Sequence, residues 1–272
     1  MPTLDAHLPA LERWMQHNVR GYRGPIEVQP FEGGQSNPTC QLTAASGAYV
    51  LRRRPLGTLL PSAHAVDREY RVQRALAGSR VPVPHLHGYC DDVAVIGSAF
   101  YVMDHVPGRI FFDPRLPGLD AAQRRAMFAQ MNDVIAALHG VDWRAAGLDG
   151  FGRPGGFLAR QVARWTQQYR ASATVPIEAM DRLIAWLPAH LPTADEVSLV
   201  HGDYRMDNLI FHPVEPRIVA VLDWELSTIG DPLADFGYHA IAWRIAPELF
   251  RGVTGSDLGA LGIPGEQEYL AA

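Results

Sequence analysis

The chain contains no lysine. All 24 of its basic residues are arginine, set against 29 Asp and Glu in 272 residues, for a formal net charge of −5. Any site whose chemistry ordinarily calls on a lysine must therefore use an arginine, with its fixed charge and forked donors. The acidic balance argues against the basic face of a nucleic-acid binder. Two cysteines, Cys40 and Cys90, are too few for a disulfide framework, which points to a reducing cytoplasm. No apolar run approaches the length of a membrane span, so no membrane partner is expected. The opening MPTLDAHLPALERWM is no signal or transit peptide: Leu4, Leu8, Leu11 and Trp14/Met15 share one helical stripe, with Asp5 and Glu12 on the same helix. What remains is 47% apolar and 19% charged, an ordinary soluble globular composition. The length suits one large or two small domains.

The pattern changes along the chain. Residues 26–54 alternate and break like strands, with turn signals at Gly33-Gly34, Ser36-Asn37-Pro38 and Ser46-Gly47. A helix is expected around 63–77, a Pro-punctuated strand near 81–89 and another strand at 98–106. From about Asp120 the pattern is helical, over 120–139, 155–171 and 176–190. The exception is 198–224, which reads as strand, turn, strand. No repeat or low-complexity tract interrupts this. The expectation is an α+β chain with a small antiparallel β lobe over 1–106 and a larger, mostly helical lobe over 107–272.

Within 198–224 two aspartates, an Asn and a His stand between apolar runs: HGDYRMDN, residues 201–208. A buried carboxylate without a partner is costly, so these groups need partners, a metal or a task. His201-Gly202-Asp203, four residues, then Asn208 spells H-G-D-x-x-x-x-N. A Pro-flanked turn and the strand IVAVLD follow, ending at Asp223. A hairpin returning in this way brings Asp223 back beside Asn208 and Asp203. Asn plus Asp suits a hard cation such as Mg²⁺, which takes few protein oxygens and completes its shell with phosphate and water. Asp203 is then free to act as a base. This matches the phosphoryl-transfer template, in which a loop Asp orients the acceptor hydroxyl while an Asn and a later Asp hold the metal. The alternative is a polar loop capping a strand, with Asp203 and Asn208 bonding local backbone.

The carrying stretches are FEGGQSNPTCQL, YVLRRRPLGTLLPSAHAVDREYRV, FYVMDHVPGR, LVHGDYRMDNLIF and VLDWELSTIGDPLADF. On them, over nearly its whole length, the chain resembles the aminoglycoside phosphotransferase/choline kinase family of protein-kinase-like small-molecule kinases. It is most similar to the branch found in bacteria and fused to acyl-CoA dehydrogenases in animals. The resemblance implies a two-lobed kinase-like fold, ATP and Mg²⁺ as cofactors, a small hydroxylated substrate and a functional link to acyl-CoA dehydrogenase. It implies Asp203 as catalytic base, His201 as buttress of its loop, and Asn208 and Asp223 as metal ligands. Asp231 and Asp235 would anchor the catalytic segment. Gly33, Gly34, Gln35 and Ser36 would form the loop over the nucleotide phosphates. The backbone of Asp104–Val106 would meet the adenine edge, and Gly108 would give that hinge its turn.

Where the family uses a phosphate-gripping Lys, the matching position is Arg52, with Glu69 on the following helix as its partner. Period-2 alternation puts Arg52 and Arg54 on one face and Arg53 on the other, so pattern alone leaves 52 and 54 both open. Arg53 reads as solvated. His85, His87 and Cys90 in HLHGYC superficially offer metal ligands, and GDYRMD superficially resembles a metal-dependent phosphoesterase motif, but matching further ligands are missing. His139 reads as a helix end bonded locally, and Trp165, Tyr169 and Trp186 as core or groove walls. A nucleotide-binding pseudokinase is the reading from another class; base, metal ligands and phosphate grip are all present against it. The chain stops at GEQEYLAA, the first turns of a helix, where family members usually continue with helices that wall the acceptor site.

The acceptor is expected to lie against the segment 236–272, where Tyr238, Ile241, Trp243, Ile245, Leu249 and Phe250 mingle with Arg244 and Arg251. An apolar wall with positive points suits an anionic or acyl-bearing alcohol, a hydroxy acid or hydroxyacyl-CoA, better than an aminoglycoside or choline-type amino alcohol. A helix burying an apolar stripe would look the same.

Overall fold

The computed structural model describes residues 4–31, 37–56 and 65–272, so the expected phosphate loop Gly33, Gly34, Gln35, Ser36 lies outside the described residues. Helix α1 (Leu8–Asn18) follows a 3-10 turn over Leu4–His7 and buries Leu11 and Met15. Then come β1 (Glu27–Pro30), β2 (Thr39–Ala44), β3 (Gly47–Arg53), α2 (Val66–Leu76), β4 (Leu86–Cys90), the one-turn α3 (Val93–Ile96) and β5 (Phe100–Asp104). The strands pair antiparallel in the order β1-β2-β3-β5-β4. The strand expected from residue 81 begins only at Leu86. Pro82 and Pro84 cannot donate to a ladder, and pairing starts beyond them.

Both faces of this sheet are covered. On one, Leu42, Leu51, Phe100 and Val102 pack with Leu11 and Met15 of α1. On the other, Val50, Tyr101 and Met103 pack with Val66 of α2. Arg53, expected to be solvated, is only 5% exposed. It stands opposite Phe100, on the Leu51 side of β3, where α1 leaves no solvent face.

The larger lobe starts from α4 (Ala121–His139). Asp120 accepts from the Gln123 amide at 2.8 Å while the Gln123 side chain accepts from the Asp120 amide at 3.0 Å, a reciprocal cap that fixes where the helix begins. Met127, Phe128, Met131, Ile135 and Leu138 of α4 join Val72 and Leu76 of α2, Tyr204, Trp224 and Trp243 in the main core. Helices α5 (Phe157–Ser172) and α6 (Glu178–Trp186) bury no residue fully. Trp165 is 60% and Trp186 52% exposed, so neither is core. Trp165 walls a groove between the two helices, and Trp186 stacks on His190.

The remaining chain builds two short antiparallel pairs. β6 (Ser198–Val200) pairs with β9 (Thr228–Gly230), and β7 (Leu209–Phe211) with β8 (Ile218–Val221). Helices α7 (Pro232–Ala240), α8 (Pro247–Phe250), α9 (Leu258–Leu261) and α10 (Glu266–Leu270) close the lobe. The lobes join where Arg109 and Phe211 exchange backbone hydrogen bonds at 2.8 and 2.9 Å. A Cβ on Gly108 would fall 2.3 Å from Ile210 Cγ2 and 2.4 Å from the Phe211 carbonyl oxygen. Gly108 therefore permits a close approach; its φ is not positive, and the expected turn is not its reason. Among the described residues, no helix is long and apolar enough to cross a membrane.

Candidate active site

The hairpin of β7 and β8 brings the predicted oxygens together. Leu209 faces Val221, and the Leu222 amide donates to the Asn208 carbonyl at 2.8 Å. Asn208 and Asp223 thus sit at the same end of the hairpin, next to Asp203. The Asn208 amide nitrogen donates to Asp203 twice, to its carbonyl at 2.8 Å and to Oδ2 at 2.9 Å. With its nitrogen committed, the oxygen is the end of Asn208 that remains to serve a ligand. Asp223 has a left-handed backbone, φ 62°. Non-glycine residues rarely adopt it, and such positions collect at functional sites.

His201 is fully buried. Its Nε2 donates to the Leu222 carbonyl at 2.9 Å, and its Nδ1 accepts from the Asp203 amide at 3.2 Å. The ring thereby ties the loop of Asp203 to the strand end before Asp223. Asp235 of α7 accepts from the His201 and Gly202 amides at 2.9 and 2.8 Å, and from His139 Nε2 at 2.9 Å. Burial works against the Asp235 carboxylate, but His139, His201 and the two amides prevail and hold its pKa below the usual range. His139 is therefore a partner of α7 within the larger lobe and not a locally bonded helix end. Asp231 caps its own helix at the Leu233 amide, 2.8 Å away, instead of reaching the loop.

Across the cleft, Arg52 Nε lies 2.7 Å from Glu69 Oε2, and Arg52 Nη2 lies 2.6 Å from Asp223 Oδ1. Arg54 lies beyond the end of β3 and is exposed. Only 1% of the Glu69 side chain is exposed. Asn37 Nδ2 donates to its Oε1 at 2.5 Å and the Tyr101 hydroxyl to its Oε2 at 3.0 Å. Burial alone would lower the Arg52 pKa; Glu69, Tyr101 and Asp223 outweigh it and lift that pKa well above the ordinary value. Arg52 is thus a permanent cation between the lobes.

The cleft so framed measures about 410 Å³ and is lined by Val50, Arg52, Asp104, His105, Val106, Asn208, Ile210 and Asp223 among others. The Asp104 amide donates to the His85 carbonyl at 2.8 Å, which removes that group from any set offered to a ligand. The Asp104 side chain pairs with His87 Nε2 at 2.7 Å. Cys90 is buried in the core of the smaller lobe, and among the described residues no three His, Cys, Asp or Glu side chains form a metal cluster.

Two residues at this site, Arg205 and Asp207, were not singled out in the sequence; Tyr238 and Arg251 were expected only as part of an acceptor wall. Arg205 Nε lies 2.9 Å from Asp203 Oδ1. Tyr238 bonds the same carboxylate, and partial burial followed by Asp203 pushes its pKa up to about 12. Arg251 donates to Asp207 Oδ2. Beside them an apolar cavity is walled by Phe112, Phe128, Met131, Tyr238, Ile241, Trp243 and Phe250, with Arg205 and Arg251 at its polar edge. Leu249 is 77% exposed and Arg244 pairs outside the cavity with Glu266, so neither contributes to this wall.

The sequence profile of the phosphotransferase enzyme family (APH) matches residues 27–269. The chain belongs to this family. A Ralstonia eutropha protein provisionally assigned as an aminoglycoside phosphotransferase is 52% identical, with a TM-score of 0.89 over 96% of this chain and 77% of that one. Mouse acyl-CoA dehydrogenase family member 10 is 48% identical over 264 residues, which are 96% of this chain but 25% of that protein. The chain thus spans about a quarter of that relative's length. The aminoglycoside phosphotransferase APH(4)-Ia, solved with ADP and hygromycin B, is 15% identical with a TM-score of 0.61, covering 88% of this chain and 77% of that one. That likeness shows the fold: the phosphotransferase has the two-lobed, kinase-like α+β architecture.

Proposed function

We propose that this phosphotransferase moves the γ-phosphoryl group of ATP to the hydroxyl of a small anionic, acyl-bearing acceptor, with Asp203 as the base. The observation that carries this reading is the convergence of Asp203, Asn208 and Asp223 at one hairpin end, opposite the Arg52–Glu69 pair. In the same reading residues 1–106 position the nucleotide and 107–272 carry the chemistry. The fold relative solved with ADP supports the choice of nucleotide.

The donor set fits Mg²⁺. Asn208 and Asp223 offer two oxygens, and Asp223 Oδ1 already holds a cation, the Arg52 guanidinium, at 2.6 Å. Few protein oxygens and room for phosphate and water are what this ion takes. Bound there, Mg²⁺ would neutralise charge on the phosphate oxygens during transfer.

The chain's own groups do the rest. Arg52, held charged and oriented by Glu69, binds phosphate oxygens with its forked donors. His201 and Asn208 fix Asp203 from backbone and side chain. Asp203 takes the proton of the acceptor hydroxyl as that oxygen bonds the γ-phosphorus. The bond from phosphorus to the β–γ bridging oxygen breaks, and ADP leaves with the electron pair.

The cavity beside Asp203 supports the acceptor class. Its walls are apolar and its charged edge is arginine; its one carboxylate, Asp207, is paired with Arg251. A polyamine would need free carboxylates there. The acyl-CoA dehydrogenase name of the longer relative agrees with an acyl acceptor and with a functional link between the two activities.

The test is an ATP-consumption screen of hydroxy acids, hydroxyacyl thioesters and kanamycin-like aminoglycosides, followed by Asp203→Asn. The variant should keep nucleotide binding and lose turnover by the ~10²–10⁴ typical of a general base. Near-normal turnover in Asp203→Asn would refute the base assignment. Efficient turnover of an aminoglycoside, with none on any hydroxyacyl compound, would refute the acceptor class.

A further inference from the structure

The loop that carries Asp203 also carries its counter-charge. Arg205 grips the carboxylate with two nitrogens, Nε 2.9 Å from Oδ1 and Nη2 3.1 Å from Oδ2. An acceptor hydroxyl must therefore compete with a guanidinium for the oxygens of the base. Arg205 Nη2 also lies 3.5 Å from Asp207 Oδ2, and its guanidinium is 5.7 Å from the Phe250 ring centre. Arg251 comes from the opposite side, donating to the same Asp207 oxygen and lying 5.4 Å from the same ring. Two guanidiniums thus share one aromatic ring and one carboxylate at the edge of the apolar cavity. Their side chains keep 24% and 34% exposure, enough for a ligand to reach.

Arg251 stands where a side chain is disfavoured. It ends α8 in the left-handed region, φ 45° and ψ 35°, the position that glycine usually fills. The glycine of this segment is the next residue, Gly252, packed so closely that a Cβ would fall 1.7 Å from the Ile245 carbonyl oxygen. The backbone holds a strained conformation with an arginine in it, and that arginine is directed onto the catalytic loop.

We propose that Arg205 selects an anionic acceptor and releases the base in the same movement. The acceptor's oxyanion, a carboxylate or a phosphate, draws the Arg205 guanidinium away from Asp203, with Arg251 as the second donor. The acceptor's apolar chain lies in the cavity. A neutral alcohol leaves the clamp closed. This rests on the reading of Asp203 as base, and it names Arg205 as a specificity-determining residue of that reaction.

Three probes separate the parts: 3-hydroxyhexanoate, its methyl ester and 3-hydroxyhexanoyl-CoA. Binding is measured by calorimetry and phosphoryl transfer by ADP release. The acid or the CoA thioester should bind at least about tenfold more tightly than the ester, the equivalent of one charge-assisted hydrogen bond. Preference for the acid identifies a carboxylate as the trigger, and preference for the thioester a phosphate. In Arg205→Gln the preference should vanish in both Kd and kcat/KM, with the ester losing less turnover than the anionic probe. Arg251→Gln, further from the base, should reduce the preference without removing it, and serves if Arg205→Gln does not fold. Equal binding of all three probes to the wild-type protein overturns the proposal, as does a preference that survives Arg205→Gln. If the anionic preference holds and depends on Arg205 but no probe is phosphorylated, the selectivity stands and the phosphoryl-transfer reading falls.

Discussion

Replacing Arg52 by methionine removes a guanidinium from between the lobes and leaves Glu69 behind it. The Glu69 side chain is 1% exposed and loses its 2.7 Å ion pair while keeping Asn37 and Tyr101. Breaking a buried pair from one side costs about 3–5 kcal/mol, because the remaining charge is uncompensated. At roughly 2–4 °C per kcal/mol for a chain of this size, the melting temperature should fall by roughly 6–20 °C. Arg52→Met/Glu69→Gln removes the stranded charge but keeps a hydrogen-bonding side chain for Asn37 and Tyr101. It should recover at least half of that loss, the non-additivity expected of contacting residues. Nucleotide affinity should behave otherwise. Both variants lack the phosphate grip, worth about 1.5–3 kcal/mol, so both should bind Mg²⁺-ATP roughly 10–150-fold more weakly. Thermal melts and calorimetry on the three proteins give the answer. Should affinity return along with stability in the double variant, Arg52 serves the fold and not the phosphate. A single variant melting within about 2 °C of the wild type would refute the buried-pair estimate itself.

Asp223→Ala should abolish the gain in ATP affinity that Mg²⁺ provides, measured as the ratio of Kd with and without the ion, and an unchanged ratio excludes Asp223 as a ligand. Gly108→Ala places a methyl group 2.3 Å from Ile210 Cγ2 and should lower stability by about 1–3 kcal/mol; an unaltered urea midpoint would show that the lobe junction yields freely. His239 is buried and its pKa is lowered from 6.5 to about 4, chiefly by that burial. The unfolded chain then binds a proton that the folded one refuses, so this stability is present above about pH 6.5 and lost as pH falls towards about 4. The loss should reach about 3 kcal/mol in urea titrations at pH 7 and pH 4, and His239→Phe should flatten that part of the slope.

The hairpin was legible in the sequence because its register follows from a short turn between two apolar strands. Once Leu209 pairs with Val221, Asn208 and Asp223 have nowhere to be but side by side. The Arg52–Glu69 pair was expected from the family resemblance alone, since strand alternation left Arg52 and Arg54 both open. Arg53 was misread because alternation tells which residues share a face and not whether that face is wet. Here α1, which ends 35 residues earlier in the chain but packs directly on the sheet, dries it. His139 was misread similarly: a His at a helix end bonds locally by default, and only tertiary packing sets Asp235 within 2.9 Å of it.

Arg205 shows where spacing gives out altogether. It lies inside the very motif that identified Asp203 and Asn208, yet an arginine in an irregular loop has no periodic neighbour to say where it points. Its meaning comes from Phe250 and Arg251, which α8 delivers from far along the chain. In the proposed reading, motif spacing marks groups that act through a fixed local geometry: a base, two ligands, a supporting ring. Groups that discriminate between acceptors must contact whatever varies from one acceptor to the next, and so they are built from elements that share no spacing with the motif. A phosphotransferase can therefore announce its reaction in eight consecutive residues and keep its acceptor in the packing of a four-residue helix against them.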